Sequence, residues 1–378
     1  MKCNPSDPCL GAGTHGGIPF LPGTSRTSRP TAKMASAAEL FVFPVCLLMV
    51  VLWPNALPAA PRSPSATEKI YQRCQAACVE VLVNGHHSGS GWFAQADGLV
   101  VTAAHLFERR DDTIEVVSPG LGRLACSLRA VDRGHDIALL KTKTLTGDFP
   151  VLTFSSTPLR VGDEILQFGA PLFRAGVLQP GRVAQPDPSF EFYPDRKGYV
   201  EVLHVAGMMQ AGTSGGPWLD GAGNVVGLQS GVMSLEGKPI GIAFLVPATP
   251  IRGLLKTLCD AATPDAGFWV DQLWERDAEF LRKFPTGTEG LAVSGVRQDG
   301  PAARAGIEPG EVVIAAEGRK ILRIQALLEI IRAKRPGERL QLTLLRAGAA
   351  EPLQRTLTLD RAEADMAPLA SKPIEEQR

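Results

Sequence analysis

Three short segments of the chain carry residue types that together can attack an acyl carbon without a cofactor. Val101-Thr102-Ala103-Ala104-His105 ends an apolar run on an imidazole. Asp132-Arg133-Gly134-His135-Asp136-Ile137-Ala138-Leu139-Leu140 puts a carboxylate at the mouth of another apolar run. Gly212-Thr213-Ser214-Gly215-Gly216-Pro217 puts a hydroxyl in a glycine-rich turn. A serine hydroxyl is a poor nucleophile until a histidine takes its proton and a buried carboxylate fixes that histidine's tautomer. His105, Asp136 and Ser214 supply the three groups. The glycines beside Ser214 let the chain turn sharply, so that the amides of Gly212 and Ser214 can face an oxyanion.

Each segment alone has a plainer use: a tight turn, a structural histidine closing a strand, an aspartate capping a loop. All three in order, each beside strand-like sequence, read as one site. The gaps of 31 and 78 residues are enough to place His105 and Asp136 in one β-barrel and Ser214 in a second. The order His, Asp, Ser is that of chymotrypsin-like hydrolases, not of subtilisins or α/β-hydrolases.

Further segments extend the likeness. Gly89-Ser90-Gly91-Trp92-Phe93 and Asp97-Gly98-Leu99-Val100-Val101-Thr102 lead into the histidine, and Gly241-Ile242-Ala243-Phe244-Leu245-Val246-Pro247 follows the serine. Beyond them, Gly290 to Val296, Pro301 to Ile307 and Pro309 to Val313 resemble a PDZ domain. From about residue 68 to 360 the chain resembles the HtrA/Deg family of trypsin-like serine proteases with one C-terminal PDZ domain. That resemblance implies a mainly β fold, a chymotrypsin-like double β-barrel followed by an α+β PDZ domain. It also implies an endopeptidase of unfolded or damaged proteins, a PDZ that takes peptide C-termini, and a homotrimer as the common assembly. A chaperone or adaptor without catalysis, and a regulatory protease sensing one C-terminus, are the competing readings. Thr213 stands where the family usually has asparagine, Trp218 where a smaller apolar residue is common, and Trp269 where a glycine is general.

In this fold the segments before the serine and along the strand after it line the primary specificity pocket. Met209, Gln229, Ser230, Gly231 and Val232 are therefore the candidate substrate-binding residues. Nothing acidic lies among them to pair with Lys or Arg, and Met209 with Val232 would favour small to medium aliphatic side chains. The carboxylate cradle of the PDZ is expected at Gly267, Phe268, Trp269 and Val270, where backbone amides take a peptide terminus as an added strand.

Composition agrees with several domains rather than one: 378 residues, 44% hydrophobic, with 39 Gly and 30 Pro. Thirty-nine basic against 39 acidic residues leave no electrostatic case for a nucleic-acid partner. No Gly-x-x-x-x-Gly-Lys-[Ser/Thr] loop is present, so ATP independence is expected, and the chemistry calls for no cofactor. Cys74 and Cys78 would be half of a zinc site, but no second pair completes it, so no metal is expected. With Cys126 and Cys259 they allow three disulfide pairings or buried free thiols.

Residues 1–33 lack apolar periodicity and read as a disordered leader, or as sequence upstream of a start at Met34. Leu40 to Trp53 is an unbroken apolar run of 14 residues. As a helix it spans ~21 Å, against ~30 Å of hydrocarbon, and small residues follow it. Residues 34–60 are thus read as a signal peptide or a signal anchor, placing the chain in the periplasm or cell envelope. A linker at 61–67, the protease domain at 68–258, a linker at 259–263, the PDZ at 264–360 and a loose tail at 361–378 complete the division.

Helical spacing predicts a helix over Ala66–Ala77, and alternation predicts a first strand ending at the turn Asn84-Gly85. Further helices are expected over Ile251–Leu258 and Ile324–Ala333. Phe173–Lys197, rich in Gly, Pro and charge, reads as a loop. Its cluster Phe190, Phe192 and Tyr193 should cover either the chain's own barrel or a neighbouring subunit. His86 and His87 are expected in an exposed loop, His135 on the solvent side or in local packing, and His204 as a satisfied structural histidine.

Overall fold

The computed structural model describes residues 63–143, 148–193, 198–349 and 351–362. The expectations for residues 1–62, and for the tail from 363 on, lie outside them.

Ser65 caps helix α1 (Ala66–Ala77), which has the bounds that the periodicity predicts. The Ser65 side chain takes the Glu68 amide while the Glu68 carboxylate takes the Ser65 amide. Ile70, Cys74 and Ala77 form the buried face. Six strands then close a barrel: β1 (Cys78–Val83), β2 (His86–Gln95), β3 (Leu99–Ala103), β4 (Ile114–Ser118), β5 (Gly122–Asp132) and β6 (Ile137–Thr142), in the order β1-β2-β3-β6-β5-β4. Asn84 and Gly85, both at positive φ, make the tight turn between β1 and β2. Phe93, Val100, Phe107, Ile114 and Leu140 fill this first barrel.

A second closed barrel follows: β7 (Glu164–Gly169), β8 (Val177–Tyr193), β9 (Gly198–Ala206), β10 (Pro217–Leu219), β11 (Val225–Leu235) and β12 (Lys238–Pro247), ordered β10-β11-β12-β9-β8-β7. Trp218, Met209, Val205 and Leu245 fill it. A third apolar cluster, with Ile70, Trp92, Leu139, Leu219, Leu228 and Phe244, joins α1 to both barrels.

The expected loop at Phe173–Lys197 is corrected: Val177–Tyr193 is one long strand, bonded to β7 over its first part and to β9 over its second. Its prolines misled because they sit where the ladder has room for them. Pro186 and Pro188 fall in the register shift between Gln185 and Ser189, and Pro180 pairs only with β7. His86 and His87 lie on β2 rather than in a loop.

Helix α2 (Ala248–Thr257) begins three residues earlier than expected, buries Ile251 and Leu254, and ends at Leu258 in a left-handed conformation. The second domain is built on β14 (Phe268–Gln272), β15 (Leu291–Val296), β16 (Val312–Ala316), β18 (Arg339–Leu345) and β19 (Leu353–Thr358), hydrogen-bonded in that order. Short β17 (Arg319–Lys320) pairs with β16, and β13 (Pro264–Asp265) pairs with β20 (Asp360–Arg361). Helices α3 (Ala278–Leu281), α4 (Pro301–Arg304) and α5 (Ile324–Arg332) complete it. Leu327, Leu328 and Ile331 are the buried side of α5. Strand β14 is the edge of this sheet.

All four cysteines of the described part are free thiols, three of them buried. Burial pushes the Cys126 thiol up to about 12 and the Cys78 thiol well above its usual range, so neither forms a thiolate readily.

Candidate active site

His105 stands on a single helical turn, Ala104–Leu106, directly after β3. Asp136 sits in the turn between β5 and β6 at φ 56°, with no exposed surface. The two turns are bonded to each other by backbone and side chain. His105 donates its amide to Asp136 Oδ1 at 2.8 Å, and its Nδ1 lies 2.9 Å from Asp136 Oδ2. The Ala104 amide donates to the Asp136 carbonyl at 3.0 Å. Arg133 spans the histidine turn, donating to the carbonyls of Ala104 and Phe107 at 2.7 and 2.8 Å. Nδ1–H on a carboxylate leaves Nε2 as the basic nitrogen.

Ser214 arrives from the second barrel. Its carbonyl takes the Ser90 amide at 2.8 Å, stitching the turn to β2. Its hydroxyl donates to the Ser230 carbonyl at 3.3 Å, and among the described residues no hydrogen bond joins it to His105. Nucleophilic attack therefore needs the hydroxyl to turn from that carbonyl to Nε2, a tightening usual when substrate enters an empty site.

Two glycines in the turn admit no other residue. Gly212 has φ 95° and a Cβ there would lie 2.2 Å from the Ala170 carbonyl oxygen. Gly215 has φ 85° and a Cβ there would meet the Ser90 carbonyl oxygen, also at 2.2 Å. The carbonyl before Gly212, that of Ala211, is held by the Leu172 amide at 2.8 Å. Among the described residues the Gly212 and Ser214 amides donate to no protein acceptor. Two such amides beside a nucleophile can bind a developing oxyanion. Thr213 fills the expected asparagine position by hydrogen-bonding its hydroxyl back to the Gln210 carbonyl at 2.7 Å.

Of the expected pocket residues Met209, Gln229, Ser230, Gly231 and Val232, most have side chains engaged within the protein. Met209 is fully buried in the second barrel beside Trp218. Gln229 is buried too, its side chain accepting from Trp218 Nε1 at 2.9 Å and donating to the Gly231 carbonyl at 2.7 Å. The Ser230 hydroxyl donates to Asp136 instead of facing a ligand. Tyr193 covers Gly231, where a Cβ would lie 2.5 Å from its hydroxyl. Val232 remains half-exposed. Neither Ser230 nor Tyr193 carries a sequence signal for contact with Asp136.

His135 takes the locally packed alternative, as a half-buried clamp between two carboxylates. Its Nδ1 lies 2.8 Å from Asp132 Oδ2 and its Nε2 3.4 Å from Glu201 Oε2. Burial alone would lower its pKa, but hydrogen bonds to the two carboxylates outweigh burial and raise it to about 9. The folded protein thus holds this proton to about pH 9, the unfolded chain only to about 6.5. Its stabilisation is complete below pH 6.5 and is lost as pH climbs through 9. His135→Gln is expected to lower unfolding stability by on the order of 2 kcal/mol at pH 6 and by much less at pH 9.5. Urea titrations at both values check this; an equal deficit at both would refute it. His204 is satisfied as expected, on Glu191 at 2.8 Å.

At the second domain the expected cradle is partly engaged. The Gly267 amide donates to Asp265 at 3.0 Å, and the Tyr199 hydroxyl reaches the Val270 carbonyl of edge strand β14 at 3.5 Å. Phe268 and Val270 are buried, and Trp269 lies over Gly295. The ring of Phe190, from β8, is buried in the same apolar cluster as Phe268, Val270, Leu328 and Ile331. Arg332 of α5 donates to the Tyr199 carbonyl. Of the aromatic cluster, Tyr193 covers its own barrel against Phe244, whereas Phe190 packs on the second domain. A cavity of about 310 Å³ remains here, lined by Tyr199, Thr263, Trp269 and Arg332 among others.

Known proteins agree with this architecture. Residues 89–228 match the trypsin-like peptidase domain and residues 272–357 the PDZ domain. A probable periplasmic serine endoprotease, DegP-like, of Brucella suis is 28% identical over 271 residues, covering 71% of this chain and 52% of the relative. Its counterpart in Pseudomonas fulva is 27% identical over 294 residues, covering 75% and 60%. The chain thus carries a trypsin-like peptidase domain followed by one PDZ domain, and its relatives are named DegP-like serine endoproteases. It spans about half the length of the Brucella relative. Two solved structures share the fold of this chain. One is the HtrA-type protease AlgW with a decapeptide (TM-score 0.60, 21% identity, 79% of this chain and 99% of that one). The other is a serine endoprotease from Yersinia pestis (TM-score 0.56, 21% identity, 79% and 99%). Among the described residues no helix is long and apolar enough to cross a membrane.

Proposed function

We propose that this chain is an ATP-independent serine endopeptidase of the HtrA/Deg type in which Ser214 is the nucleophile. His105 is the general base, Asp136 holds it, and the Gly212 and Ser214 amides take the oxyanion. The observation that carries this is the meeting, at the seam of two barrels, of a carboxylate-bound imidazole and a serine flanked by two amides without acceptors. Attack by Ser214 Oγ on a peptide carbonyl passes its proton to His105 Nε2. His105 returns the proton to the departing amine, and water then releases the acyl group by the same route.

Substrates are unfolded or damaged proteins, the class that the resemblance to HtrA/Deg proteases implies. The compartment is extracytoplasmic, in keeping with the periplasmic names of the relatives and the apolar run at 40–53. The PDZ takes peptide C-termini on edge strand β14, and the assembly is a homotrimer, as in the family at large. A peptidyl phosphonate bearing a small aliphatic residue tests the chemistry. It should add one equivalent of mass to the peptide carrying Ser214 and stop casein cleavage. Casein cleavage that persists with Ser214 unlabelled would sink the reading.

A further inference from the structure

Asp136 has no exposed surface and takes three donors, all from protein: the His105 amide, His105 Nδ1–H and the Ser230 hydroxyl. The third of these is itself in contact with another hydroxyl. Tyr193 Oη lies 3.0 Å from Ser230 Oγ. A serine hydroxyl has one proton, and the Asp136 carboxylate can only accept. Ser230 therefore gives its proton to Asp136, and its oxygen is left to accept from Tyr193. The hydrogen bonds run in one direction, from Tyr193 to Ser230 to Asp136, and each polarises the next.

We propose that Tyr193 is a positioning residue for the hydrolysis, its hydroxyl fixing Ser230 so that Ser230 stays a donor to Asp136. The proposal rests on the reading of Ser214 as the nucleophile only in its kinetic consequence; the hydrogen-bond chain stands on geometry alone. The ring of Tyr193 is seated independently of its hydroxyl. It meets Phe244 edge-on at 6.3 Å between centroids, and it lies over Gly231, which has no side chain to obstruct it. Tyr193 is the last residue of β8 and pairs with Gly198, the first of β9. The hydroxyl touches neither Ser214 nor the two open amides. Its link to Asp136 runs through Ser230.

The sign of that effect follows from charge. Two hydroxyl dipoles aimed at Asp136 offset part of its negative charge. Without the Tyr193 proton, Ser230 is free to rotate away from Asp136, and the carboxylate attracts the imidazolium of His105 more strongly. The His105 titration midpoint then rises, and the acid limb of kcat/KM moves to higher pH.

Tyr193→Phe keeps the ring and deletes the hydroxyl. It should lower kcat about tenfold, leave KM unchanged and raise the acid limb by about half a pH unit. In a Ser230→Ala background the same substitution should change nothing, because the link to Asp136 is already gone. His105 is also followed by its ring resonances in ¹H–¹⁵N NMR of the full chain, which needs no turnover. The midpoint should rise in Tyr193→Phe and in Ser230→Ala alike. An unchanged His105 midpoint in Tyr193→Phe overturns the proposal, whether or not the wild type cleaves casein. So does a Tyr193→Phe effect that persists undiminished beside Ser230→Ala. A wild type inert to casein and phosphonate, with the midpoint shifted as expected, refutes the protease reading and leaves the hydrogen-bond chain supported.

Discussion

Ser214→Ala is expected to lower peptide-bond turnover by about 10⁴-fold or more while leaving the fold intact. The hydroxyl it removes makes a single long hydrogen bond, 3.3 Å to the Ser230 carbonyl, so little stability goes with it. His105→Ala should cost about as much, since the base has no role without the nucleophile. The double variant should be scarcely slower than either single one, because the groups act as a unit. Casein digestion with circular dichroism on the same samples gives both readouts. A single variant that retains substantial proteolysis would remove the assignment.

Asp136→Asn is expected to lower turnover on the order of 10⁴-fold, for a different reason. The His105 amide, His105 Nδ1–H and the Ser230 hydroxyl all donate to Asp136. An asparagine presents two donor hydrogens on one side of its amide and can satisfy only part of this set. The cheapest rearrangement turns the His105 tautomer so that Nδ1 accepts, which puts the proton on Nε2 and leaves nothing to take the Ser214 proton. Because Asp136 is fully buried, the misfit also costs stability, about 1–3 kcal/mol. Substrate affinity should be nearly unchanged, so the loss appears in kcat. An Asp136→Asn variant within tenfold of the wild type would show that the carboxylate does not orient the base.

Much of the two-barrel architecture is legible in the chain because its signals are local. Helix α1 is announced by Ile70, Cys74 and Ala77 at helical spacing, and β1 by alternation ending in Asn84-Gly85. The turn at Ser214 is announced by Gly212 and Gly215, at positive φ where neighbouring carbonyls leave no room for a Cβ. Strand β8 is obscured because Pro180, Pro186 and Pro188 are read as breakers, and only the register of the finished barrel reveals places that tolerate them. The site divides in the same way. His105, Asp136 and Ser214 are marked by the motifs around them. That Ser230 faces Asp136, 94 positions away, and that Met209 joins the second barrel's core are tertiary contacts, which sequence spacing does not encode. His135 looks like a spare polar residue until Glu201, 66 positions away, is folded against it.

Phe190 gives the second domain a tenant of its own. The ring sits among Phe268, Val270, Leu328 and Ile331, beside the edge strand where an incoming peptide would add. A peptide drawn to that edge competes with a side chain on the same polypeptide, present at an effective concentration set by geometry rather than by supply, typically millimolar for short connections. Its apparent affinity is its intrinsic affinity multiplied by the fraction of molecules in which Phe190 has withdrawn. If one molecule in a hundred is open, a peptide of micromolar intrinsic affinity acts as one of about a hundred micromolar. Such a receptor ignores scarce chain ends and answers only when they become abundant, so its threshold is written in the packing of one phenylalanine.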